Sequence, residues 1–149
     1  MKRALVVAGA LLLSVGAVVA QQDVAVQQQN LMKSLGKNMY VTISKMVKGE
    51  TPYDQAAVTA ALADLEAQIV KTQAVFATNP KEDVANATFG SSPKIWQNKA
   101  DFDAKVPPVS KAIADAKGAV KDVASLKVAF DSINGKCGDC HETYRVKLK

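Results

Sequence analysis

The sequence predicts an all-α fold, an antiparallel up-down-up-down four-helix bundle, from three observations. Apolar residues recur every three or four positions, the helical period, along most of the chain. No stretch alternates apolar and polar residues as a half-buried strand would, so no strand is expected. The periodic segments are joined mostly by short turns, which makes antiparallel neighbours the economical arrangement.

The first helix is expected over 23–47, with Leu31, Leu35, Met39, Ile43 and Met46 on one stripe. Gly49 suits its C′ position, and Thr51-Pro52 leads into the second helix. That helix is expected over 54–76, with Val58, Leu62, Leu65, Ile69 and Phe76 facing inward. The longest loop, "TNPKEDVANATFGSSP", follows; it is rich in Asn, Pro, Gly and Ser. The third helix opens at the N-cap Ser92 with Pro93 behind it, carries Ile95, Trp96, Phe102, Val106, Val109 and Ile113, and ends near Gly118. Pro107-Pro108 removes two backbone donors from its middle, which predicts a kink or a break. The fourth helix is expected from Asp122 to Lys147, with Val123, Leu126, Phe130, Ile133 and Tyr144 inside.

Residues 1–20 fall outside this pattern. Lys2 and Arg3 precede an apolar run with small residues at Ala17 and Ala20, the layout of a secretory signal peptide cleaved after Ala20. As a membrane anchor the run of 17 residues from Ala4 to Ala20 is short and lacks a charged flank on its far side. Export, with no stable membrane insertion after cleavage, is the expectation. Residues 21–149 then form one domain of a size that supports one core. Without Lys2 and Arg3 the chain has 17 basic and 14 acidic side chains, a net charge of +3. The lysines are scattered, which argues against a nucleic-acid partner and leaves weak attraction to an acidic protein face.

Both cysteines and the only histidine lie within five residues, Cys137-Gly138-Asp139-Cys140-His141. A thioredoxin-type disulfide would sit in a βαβ context, and no strand is expected. A closed structural zinc site needs four ligands, and this cluster offers three. The adjacent histidine decides the matter, because C-x-x-C-H is the attachment signature of c-type haem. On a helix Cys137 and Cys140 share a face and can both form thioethers, while His141 presents its imidazole to the iron. Gly135 and Gly138 are expected to let the flat macrocycle approach. One motif implies one haem c.

With "KCGDCHETYR" on the last of four helices, the chain resembles the class II c-type cytochromes, the cytochrome c′ family. "QQNLMKSLGKNM", "KGETPYDQAAV" and "FGSSPKIW" extend the resemblance over the whole mature chain, most closely to the low-spin, methionine-ligated branch. Pro107-Pro108 departs from the family pattern. The resemblance implies that the second axial position decides function. It is filled by a first-helix methionine in the low-spin branch and open to nitric oxide or carbon monoxide in the high-spin one. Met32 falls on the sixth-ligand position, near the end of the first helix that an antiparallel bundle brings toward His141. Met39 and Met46 read as core filling.

His/Met ligation suits electron transfer; with the expected leader, the resemblance implies a periplasmic electron-transfer protein of a Gram-negative bacterium, its partners redox proteins with acidic docking faces. A peroxidase-type enzyme would want a distal acid or base, and the one histidine is already used. Arg145, four residues after His141, is either a solvated cation near a helix C-terminus or a contact in the haem pocket. Trp96, Phe102 and Tyr144 read as packing. The family includes monomers and homodimers.

Overall fold

The structure is a computed structural model that describes residues 24–80 and 82–149; the expected leader, residues 1–20, lies outside them. It is a four-helix bundle in which the third helix is broken into pieces.

α1 spans 24–47 and changes winding on the way: α-helical over 24–36, π-helical over Lys37–Ile43, and α-helical again over Ser44–Val47. Gly49, at a φ of 73°, closes it. The Gly49 N–H donates to Met46 O and the Glu50 N–H to Lys45 O, the paired bonds of a Schellman cap. α2 (Gln55–Ile69) starts at Asp54, whose Oδ1 accepts from the Ala56 and Ala57 amides at 2.8 and 3.1 Å. A turn at Val70-Lys71 separates it from α3 (Thr72–Val75).

The expected third helix consists of α4 (Lys94–Gln97), α5 (Lys99–Ala104) and α6 (Val106–Ala119). The break at Lys105 is the one the doubled proline predicts. Pro107 and Pro108 sit in the first turn of α6, where amides have no intrahelical acceptor to lose. A second break, at Asn98, has no proline behind it; φ −128° and ψ 51° take its backbone out of the helix. Ser92 Oγ accepts from the Lys94 amide at 3.3 Å, the cap expected there.

α7 (Val123–Tyr144) opens on a capping box. Asp122 Oδ1 accepts from the Ser125 amide, and Ser125 Oγ accepts from the Asp122 amide. The hydrogen bonds to Ser125 hold the Asp122 carboxyl below its usual range.

Three expectations fail at this end of the chain. Helix four ends at Tyr144, not Lys147, and strands do form: β1 (Phe89–Ser91) pairs antiparallel with β2 (Arg145–Lys147), Gly90 opposite Val146. Val123, expected inside, is exposed. The strands exist because α7 ends beside the long loop, and the backbone groups of both segments pair instead of remaining open.

α6 packs between α2 and α7, and α1 closes the bundle against both of these. Ile43, Val58, Leu65, Ile113, Leu126 and Ile133 form the closed centre. Met39 and Met46 lie in this same core, as expected. A smaller cluster of Leu31, Phe76, Ile95, Phe102 and Tyr144 sits at the end of the bundle where α7 finishes.

Candidate functional site

Between the two clusters lies a cavity of about 540 Å³, within the usual range of small-molecule and cofactor sites. α7 contributes Cys137, Cys140, His141 and Tyr144 to its wall; α1 contributes Gln28, Met32, Leu35 and Met39. The loop before β1 and residues of α5 and α6 close the remaining sides. The chain therefore brings together on one cavity the motif cysteines, the histidine and Met32, which are more than a hundred residues apart in sequence.

Each side chain is conditioned by this placement. Burial, reinforced by Cys140, pushes the Cys137 thiol up to about 11, and burial raises Cys140 as well. Both are protonated at neutral pH. Burial first, and then the Arg145 cation, depress the pKa of His141, so its imidazole is neutral and keeps a lone pair for a metal. Met32 is half-buried, packed beside the smaller cluster and not sealed inside it. Tyr144 Oη donates to Asp101 Oδ2 at 2.6 Å, and this bond, with burial, pushes the phenol up to about 12. Trp96 donates through Nε1 to Phe76 O at 3.1 Å and packs against the smaller cluster, while Phe102 packs edge-on against Tyr144 and both line the cavity.

The residues present fit a haem. The donor set of two thiols and one imidazole on one helical face suits a covalently attached macrocycle with an axial nitrogen. Thr72 also borders the cavity; its hydroxyl is buried and has no hydrogen-bond partner among the described residues.

The structure changes the setting of Arg145 and corrects the expectation for the two glycines. Arg145 does not continue the helical face of His141. It is the C-cap of α7, extended at φ −110° and ψ 137°, and its guanidinium lies 4.5 Å from the centroid of the exposed Phe89 ring. It still lines the cavity. Gly135 is exposed, and Gly138 faces a smaller cleft with Tyr40, Asn134, His141, Glu142 and Arg145; neither borders the main cavity. A residue missed from the sequence is Gln28, buried at 3% exposure against the cavity. A lone Gln on an otherwise apolar stripe was the available signal.

The family model for cytochrome c′ matches residues 23–145, and the chain belongs to that family, the class II c-type cytochromes, which carry one covalently attached haem c. It is 59% identical over 149 residues to cytochrome c-555 of Bradyrhizobium diazoefficiens, covering 100% of both chains. It is 44% identical to cytochrome c-556 of Rhodopseudomonas palustris, covering 99% of both. Among solved structures, cytochrome c′ from Rhodopseudomonas palustris superposes with a TM-score of 0.75 at 35% identity, over 85% of this chain and 98% of that one.

Proposed function

We propose that this chain is an exported, periplasmic electron-transfer protein whose haem is held by Cys137 and Cys140 as thioethers and ligated by His141 and Met32. Residues 1–20 act as the leader and residues 21–149 as the working domain. The observation that carries the reading is the shared cavity: Met32 on α1 and the Cys137–His141 motif on α7 border the same apolar space. The names of the relatives, cytochromes c-555 and c-556, support a carrier.

The haem supplies a one-electron ferric/ferrous couple. The protein's share begins with the two thioethers, which fix position without a reversible step. His141 offers a neutral imidazole because burial and Arg145 disfavour its protonated form. Met32 offers a soft thioether, which favours the ferrous state and raises the potential. Leu35, Ile95, Phe102 and Val109 keep the surroundings apolar, and low solvent access acts in the same direction. Arg145 adds a positive charge at the edge of the cavity, suited to a propionate or to an acidic redox partner. No catalytic acid or base is assigned.

The alternative is a high-spin protein that binds nitric oxide or carbon monoxide, supported by the likeness to cytochrome c′ of Rhodopseudomonas palustris. Absorption spectra of both oxidation states decide between them. A low-spin spectrum that turns high-spin in Met32→Ala, with carbon monoxide then binding readily, is the expected outcome. A wild type that is already high-spin would reduce Met32 to a gatekeeper and establish the gas binder.

A further inference from the structure

Among the described residues, every hydrogen bond of the Gln28 side chain leaves its own helix. Nε2 donates to Val75 O at 3.3 Å and to Thr78 O at 3.0 Å, and Oε1 accepts from Ser91 Oγ at 3.1 Å. These partners stand 47, 50 and 63 residues away. A buried primary amide with both its ends engaged is stable only while these partners stay in place.

Residues 82–91 run between the two points that Gln28 grips, and Asp83, Val84 and Asn86 through Ser91 line the cavity. This strap is well built. The Ala87 amide donates to Val84 O across a turn whose Asn86 has a φ of 60°, a left-handed position that Asn tolerates. Gly90 lies so close to Asp83 that a Cβ there would collide with the carboxylate. At its far end the strap pairs through β1 with β2, directly after the helix that carries His141, and the Leu148 amide donates to Thr88 O. The strap thus connects the α1 wall of the cavity to the end of the α7 wall. Its attachment on α1 is Gln28, one helical turn before Met32 and on the same face.

We infer that Gln28 is a positioning residue whose amide latches the strap 82–91 across the Met32 side of the cavity, and that the latch limits entry of water and small diatomic ligands. The inference rests on the proposed haem site only for what enters; the latch itself is a property of the strap. Releasing it raises the population of the open strap and admits water, which favours the ferric state and lowers the potential.

The experiment uses the haem-loaded protein with Ser91→Ala, which removes one of the three bonds, and Gln28→Leu, which removes all three. Three quantities are measured: hydrogen exchange of the 83–91 amides, carbon monoxide association with the reduced protein in a Met32→Ala background where no thioether has to leave first, and midpoint potential. Ser91→Ala should speed strap exchange and carbon monoxide association by about tenfold, the usual effect of losing one buried hydrogen bond, and lower the potential. Exchange in α2 and α6 should stay at wild-type rates. Gln28→Leu should exceed these effects if it folds, and Ser91→Ala carries the test if it does not. Strap exchange unchanged in Ser91→Ala overturns the latch. Faster exchange with unchanged carbon monoxide association and potential overturns the gate. A wild type that is high-spin refutes Met32 ligation instead, and strap exchange with the potential then still decides the latch.

Discussion

The two ends of the bundle are built on different terms. Around Ile43, Val58, Ile113 and Leu126 the four helices meet with side chains exposed by less than 2%, and nothing beyond the protein is needed to complete the packing. Around Met32, Cys140 and Tyr144 the same helices stand apart around about 540 Å³ of space, with the buried Thr72 hydroxyl unpaired among the described residues. The first region makes a four-helix bundle; the second makes it a cytochrome. The regular half carries the cost of a hollow half whose missing contacts the haem supplies.

The sharpest way to break this comparison is to withhold the haem. In Cys137→Ala/Cys140→Ala no covalent attachment can form, and the hollow half loses the group that fills it. We expect no haem signal on a denaturing gel, a large fall in thermal stability, and fast amide exchange in residues 82–91 and the end of α7. Exchange around Ile113 should be affected least. A haem-free protein melting at the wild-type temperature would show that the cavity is self-supporting and would end the distinction.

The converse test damages the packed half. Ile113 is fully buried, and Ile113→Ala should cost about 2–5 kcal/mol, the range for large-to-small substitutions in closed cores. Chemical denaturation measures the loss. The absorption spectrum should not move, because Ile113 does not border the cavity. A change of spin state in this variant would mean that the two halves are mechanically coupled.

The packed half was also the more legible in sequence. Its stripes of Leu, Ile and Val follow the helical period because every turn faces the same partner, so the spacing alone places Val58, Leu62, Leu65 and Ile69 inside, where they are found. The site was legible for a different reason: attachment of a c-type haem demands two thiols and an imidazole at fixed spacing, and the chain has no others to confuse them. The surroundings of the site were not legible. Strands of three residues are too short to show an alternating pattern, and β1 and β2 form only because the fold brings two chain segments alongside each other. The extended backbone of Arg145 was not legible either, since it depends on α7 stopping at Tyr144. The π-helical turn at Lys37–Ile43 interrupts no apolar stripe and carries no distinctive residue, so it is visible only in the backbone.

The smallest effect tests how the third helix was rebuilt to serve both halves. α5 carries Phe102 to the cluster at the hollow end, and α6 carries Ile113 to the packed centre, with the break at Lys105 between them. Pro107 is exposed and sits in the first turn of α6, where its fixed φ suits the backbone and no amide hydrogen bond is lost. Its contribution acts through the unfolded chain, which it stiffens. Pro107→Ala should therefore destabilise the protein slightly, by about 0.4–1 kcal/mol, with the spectrum unchanged. The sign is the decisive feature. Were the proline inside a continuous helix, its removal would restore a hydrogen bond and stabilise the protein by up to about 3 kcal/mol. Denaturation midpoints of the two proteins read that sign directly, and a clearly more stable Pro107→Ala would mean that the break is strained and that the third helix is straight by preference.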